Sequence, residues 1–203
     1  MKTIISFIIF LIASIQPLIS AAQQSNENRQ INPAALELNN KAVALMSQSE
    51  YDSALHYFDK AIYADSNYYL PHSSKSQIYL FQGQYDKAFA ETELVLKLRP
   101  DLAEAWTAAG VLIENQGDTV KAMEYYRKSI ELYDARISDP DKVDALPANK
   151  LNRSVSLILL GEEQDGKDDM IKIGKEFPEH SMLVNEFLKL SRRQIVQTIL
   201  LKQ

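Results

Sequence analysis

The chain has 203 residues, 46% of them hydrophobic and 24% charged, which is ordinary for a globular protein and unlike disordered, collagen-like or multi-span membrane chains. A net charge of -5 works against broad attraction to phosphate backbones and argues against nucleic acid as a partner, and the lack of any cysteine removes disulfides, thiolate nucleophiles, cysteine-ligated zinc and iron–sulfur clusters. With only 6 glycines and 7 prolines there are too few breakers for many short strands and tight turns, so the composition favours helix.

Lys2 precedes an apolar run from Ile4 to Ile19, which is followed by the small residues Ser20, Ala21 and Ala22 and the polar Gln23, Gln24, Ser25 and Asn26. Positive end, apolar middle and small-residue cleavage site are the order of a secretory signal peptide, predicted over 1–22, with 23–34 as a short flexible leader. As a helix the run spans roughly 24 Å, short of a ~30 Å hydrocarbon core, and Gln16 and Pro17 weaken it further as a permanent span. This reading exports the chain to the bacterial periplasm with no membrane contact after cleavage. The competing reading keeps Ile4–Ile19 as an inner-membrane anchor.

Beyond the leader the chain is self-similar. Tyr51-Asp52-Ser53-Ala54, Tyr85-Asp86-Lys87-Ala88 and Thr119-Val120-Lys121-Ala122 superimpose, with the alanines 34 positions apart each time. Other columns fall into the same phase: Leu45, Tyr79 and Ile113; Ala42, Ser76 and Gly110; Phe58, Thr92 and Tyr126. Apolar steps of three and four make each unit two helices. Gly83 and Gly117 supply the left-handed cap between them, and Pro100 and Pro178 close their units. Small residues at Ala42, Ser76 and Gly110, with Ala54, Ala88 and Ala122, mark where two helix backbones approach closely.

These residues resemble the tetratricopeptide repeat, whose pattern runs from an early aromatic through a small residue, a glycine turn, a tyrosine, an alanine and an aromatic to a closing proline. The best match is 103–136, with Trp106, Gly110, Ile113, Gly117, Ala122 and Tyr126 in the expected columns. The units predicted on this resemblance are 35–68, 69–102 and 103–136. They depart from the pattern at Leu38 and His72 for the early aromatic, Ser49 for the turn glycine, Thr92 for the large aromatic, and Ser66 and Asp134 for the closing proline. An insertion follows at 137–146, where Ser138-Asp139-Pro140-Asp141 signals either an extra turn or a longer preceding helix. A degenerate fourth unit spans 147–180, with Leu157, Gly161, Gly166, Met170 and Ile173 in column and Gly166 as a poor helix former where alanine is usual. Residues 181–203, with Val184, Phe187, Leu188, Ile195 and Ile199 on one face, read as a single capping helix, with Arg192 and Arg193 toward its C-terminal end. The expected fold is an all-α, right-handed α-solenoid of about four units plus this cap.

The first helix of each pair lines the concave side of such a solenoid. The resemblance therefore implies groove positions at Leu36, Asn39, Val43 and Met46 in the first unit and Leu70, Ser73, Gln77 and Leu80 in the second. The third contributes Glu104, Thr107, Val111 and Glu114, and the fourth Ala148, Leu151, Val155 and Ile158. This lining is mostly apolar and neutral, carries two carboxylates and no lysine or arginine, and suits an amphipathic helix or an extended apolar peptide. Asn39 alone resembles the clamp with which the family's chaperone-tail binders hold a terminal carboxylate. The competing explanation is that several of these aliphatics pack against neighbouring helices or lie under 181–201.

Signs of catalysis are weak. His56, His72 and His180 are widely spaced and fit no metal-ligand pattern, and no phosphate loop or nucleophile elbow is present. Glu162-Glu163 and Asp168-Asp169 are adjacent, so their side chains diverge on a helix and read as a solvated face. The expectation is a binding module or scaffold without catalytic residue, metal or cofactor, whose partner is a segment of another envelope protein. The chain is expected to be a monomer, with the apolar Ile199, Leu200 and Leu201 leaving weak self-association open.

Overall fold

The computed structural model describes residues 30–201, and the expected signal peptide, its cleavage site and most of the leader lie outside the described residues. Helices α1 (Pro33–Ser47) and α2 (Tyr51–Ala64) form the first pair, α3 (Tyr69–Phe81) and α4 (Tyr85–Leu98) the second, and α5 (Ala103–Asn115) and α6 (Thr119–Ile137) the third. A 3-10 segment (Pro140–Ala145) leads to a fourth pair, α7 (Leu146–Leu160) and α8 (Glu163–Glu176). A short 3-10 turn (Pro178–His180) precedes α9 (Ser181–Leu188) and α10 (Arg192–Ile199). Each helix packs against its pair partner, and the second helix of each pair packs on the first helix of the next, so that contact propagates along the chain as in a solenoid. Among the described residues there is no strand.

Local chemistry fixes the ends. Asn32 caps α1 by accepting from the Ala34 N–H at 3.0 Å, and its own amide side chain donates to the Ala64 carbonyl at 3.0 Å, tying the start of the first helix to the end of the second. Between the helices of a pair the chain turns through a left-handed residue at Gly83, Gly117 and Gly161. Ser49 takes the same conformation, with φ 64°, in the unit whose turn lacks a glycine. Ser138-Asp139-Pro140-Asp141 satisfies both of its sequence readings, because α6 extends to Ile137 and an extra 3-10 turn then follows.

The core is built from complementary columns. Where the first helix of a pair carries Ala42, Ser76, Gly110 or Ser154, the second places Phe58, Thr92, Tyr126 or Met170 against it, and every one of these eight residues is buried. The third pair has the largest side chain against the smallest. A Cβ on Gly110 would lie 2.5 Å from the Tyr126 ring. In the second pair the contact becomes polar, Ser76 and Thr92 sharing a hydroxyl hydrogen bond of 2.9 Å. The third and fourth pairs are joined by a hydroxyl cluster of Thr107, Ser129 and Ser156, with oxygens 2.6 to 3.1 Å apart.

The segment expected to be one capping helix is two. Lys189 and Leu190 end α9, and Ser191 starts α10 with a capping box in which its hydroxyl meets the Gln194 N–H and the Gln194 side chain accepts from the Ser191 N–H. Arg192 and Arg193 consequently stand in the first turn of α10 and not near a C-terminus.

A second polar cluster stabilises the first two pairs. Glu91 on α4 accepts from His72 at 2.6 Å and from Lys75 at 2.6 Å, and Lys75 also reaches Asp59 on α2 at 2.8 Å. Burial pushes the Glu91 carboxyl up, but its bonds from His72 and Lys75 outweigh burial and hold it below the ordinary value of 4.5. A carboxyl depressed in the folded state stabilises above its unfolded pKa and loses that contribution as pH falls through the folded value. Glu91→Gln is therefore expected to cost about 1–2 kcal/mol at pH 7 and to flatten the acid side of the stability profile. Urea midpoints of both chains across the acid range check this.

Candidate functional site

The predicted concave positions divide into two environments. In the first two pairs Val43, Met46, Ser73 and Gln77 are half-buried and reachable from solvent. Asn39 is 6% exposed, and its Oδ1 has no hydrogen-bond partner. Leu80 is 7% exposed and belongs to the main core. In the third and fourth pairs Val111, Leu151 and Val155 are buried in that same core, and Thr107 is taken up by its hydroxyl cluster.

The C-terminal helix packs against part of this concave face. Helix α10 lies against α5 and α7, the first helices of the third and fourth pairs. Ile195 and Leu200, each 2% exposed, join the cluster that contains Leu80, Val111 and Val155, with Val196 and Ile199 packed at its edge. Spacings of three, four, seven and eight from Arg192 bring this basic residue and the aliphatics to one face of the helix.

Polar contacts fix the direction of α10. Arg192 donates two parallel hydrogen bonds to Glu114, at 2.8 and 2.9 Å, in the fork geometry that makes arginine–carboxylate pairs specific. Its Nε donates to the Leu159 carbonyl at 2.8 Å, one of the last four carbonyls of α7, which lack intrahelical partners. Tyr126 donates its hydroxyl to Glu114 at 2.7 Å, so the carboxylate is held from the core side as well. The hydrogen bonds to Glu114 raise the Arg192 pKa further, and burial opposes them. Burial and Glu114 together push the Tyr126 hydroxyl well up. At the far end the Tyr85 hydroxyl donates to the Leu200 carbonyl at 3.2 Å.

The tetratricopeptide repeat pattern matches residues 38–68, 72–102 and 103–135, the first three helix pairs. These three segments are tetratricopeptide repeats. Among curated relatives, the Heat shock protein sti1 homolog of Schizosaccharomyces pombe is 29% identical over 97 residues, 48% of this chain and 16% of that protein, so the chain spans only a small part of that relative. A protein of Haemophilus influenzae described as uncharacterized is 29% identical over 125 residues, 59% of this chain and 68% of its own length. Of solved structures, PilW, a widely conserved type IV pilus biogenesis factor, is similar with a TM-score of 0.55 and 17% identity, covering 84% of this chain and 76% of that one. YrrB, described as a TPR protein with an unusual peptide-binding site, is similar with a TM-score of 0.50 and 16% identity, covering 90% and 89%. At these identities the likeness concerns the fold: an all-α, right-handed solenoid of antiparallel helix pairs.

On the tetratricopeptide scaffold the remaining candidate residues settle into structural surroundings. Trp106 donates to the Pro100 carbonyl at 2.8 Å and meets the Tyr125 ring edge-on at 5.2 Å, while Tyr126 is buried in the core. His72 is buried against Glu91, and His56 is exposed. Among the described residues no group of three or more His, Asp or Glu is placed to hold a metal ion, and no helix is long and apolar enough to cross a membrane. Sequence reasoning missed Arg192 and Tyr85 as partners of the concave face. The available signal was Ser191-x-x-Gln194, a capping box that starts a new helix after Leu190.

Proposed function

We propose that the chain is an exported tetratricopeptide adaptor, a scaffold without enzymatic activity that holds an amphipathic helix or extended apolar peptide of another envelope protein in its concave groove. The observation that carries this reading is the seating of α10. A short helix with one apolar face and Arg192 at the start of that face is held on α5 and α7 by apolar contact and the Arg192–Glu114 pair, which is helix-in-groove recognition made within one chain. The open end of the same surface, at Val43, Met46, Ser73 and Gln77, offers a mixed apolar and neutral lining to an outside ligand. Asn39 Oδ1, buried and unpartnered, adds an acceptor for a main-chain N–H. Signal cleavage near Ala22 places the adaptor in the periplasm of a bacterium.

The test uses two substitutions at half-exposed positions, Val43→Glu and Gln77→Glu, in the full chain. Light crosslinking in the native envelope followed by affinity capture and mass spectrometry is expected to recover one protein with wild type and to lose it with the double variant, while thermal melts of the two chains agree within a few degrees. Equal recovery by both removes the open groove from consideration. Mass spectrometry of the same exported chain is expected to find an N-terminus near Gln23, and a retained Met1 would favour the inner-membrane-anchored alternative.

A further inference from the structure

We infer that α10 is a resident ligand of the concave face, and that the outside partner is a helix of the same design, with arginine in its first turn and aliphatic residues three, seven and eight positions later, which binds by displacing α10. This rests on the groove-binding reading above and names the chemistry of its ligand.

Four observations lead there. The contacts of α10 are those of a ligand with a direction: a bidentate arginine at one end, buried Ile195 and Leu200, and a main-chain carbonyl held by Tyr85 at the other. The receiving site is prepared from the opposite side, because Tyr126, fully buried, donates to the same Glu114 that receives Arg192. Glu114 and the Leu159 carbonyl, both reached by Arg192, form a site of negative potential at the end of α7, and a cation on an incoming helix answers both groups at once. The junction at Lys189, Leu190 and Ser191 already separates α10 from α9, and Arg193 and Gln194 of α10 stand exposed to solvent. A helix of only two turns does not persist on its own in water, so α10 is ordered by the groove and not the groove by α10.

A tethered ligand competes at an effective concentration in the millimolar range, so an outside helix meets the α5–α7 end of the groove already filled and must match α10 to displace it there. The experiment uses the full chain and a labelled synthetic peptide covering 189–203. Arg192→Ala with Ile195→Asp in the chain releases its own α10, and the peptide is expected to bind this released chain at least tenfold more tightly than it binds wild type. A peptide carrying Arg192→Glu is expected to bind the released chain at least tenfold more weakly than the unaltered peptide. Equal binding to both chains, no binding to the released chain, or indifference to Arg192→Glu overturns the inference. Should the released chain fail to fold, hydrogen exchange on wild type decides. Amides of α10 are expected to exchange at least tenfold faster than those of Val155 to Leu159 on α7, and protection equal to that of α7 makes α10 a fixed part of the core and overturns the inference. If the peptide tests fail while envelope capture still depends on Val43 and Gln77, the adaptor reading stands and only the resident-ligand inference falls.

Discussion

Gly166→Ala is expected to destabilise the chain by about 2–3 kcal/mol, although alanine is the better helix former by ~1 kcal/mol. The other three pairs carry alanine in this column, at Ala54, Ala88 and Ala122, and by composition alone the glycine of α8 looks like a defect. Its surroundings reverse that reading. A Cβ at position 166 would lie 2.6 Å from the backbone carbonyl oxygen of Ser154 and 2.6 Å from Cγ1 of Ile158, both on α7. The Ile158 side chain can turn away, but the carbonyl belongs to the helix axis and moves only if α7 and α8 separate. Separation would reopen the contacts of Met170 and Ile173, which are buried between these helices and the main core. Ile158→Val combined with Gly166→Ala is therefore expected to recover only a small part of the loss. Urea midpoints of the three chains check this, and a Gly166→Ala chain more stable than wild type would mean that the two helices are not packed this closely.

The same column shows what was legible beforehand. The 34-residue spacing, the small and large columns and the glycine turns identified helix pairs because each signal lies within one unit, where periodicity and steric need coincide. Gly110 and Tyr126 each stood in a repeating column for that reason, while their direct contact is a feature of the structure. The path of the C-terminus was not legible. Leu188 and Ile195 are seven positions apart, a spacing that keeps helical phase, so the apolar stripe runs on in register through a break that contains neither glycine nor proline. The salt bridge from Arg192 to Glu114 joins residues 78 positions apart and leaves no local trace in composition or period. Ile199 and Leu200, which suggested self-association as bare apolar residues, are accounted for by packing on the chain's own concave face.

Leu80→Glu is expected to lower stability by about 3–4 kcal/mol, whereas Val43→Glu costs under 1 kcal/mol, although both positions face the groove by repeat register. Leu80 is 7% exposed and belongs to the cluster that includes Val111, Ile195 and Leu200, so a carboxylate there loses its water among apolar neighbours. Arg192, on the helix that covers the groove, is committed to Glu114 and the Leu159 carbonyl. Val43 keeps part of its surface in water, and a glutamate there can extend into solvent. Loss of partner binding by Leu80→Glu would therefore report unfolding, while the same loss by Val43→Glu reports on the groove. Denaturant midpoints and m-values of the two variants distinguish the cases. A Leu80→Glu chain with the wild-type midpoint would require α10 to have lifted far enough for water to reach position 80, and in that chain the amides of α10 should exchange as fast as those of an isolated peptide.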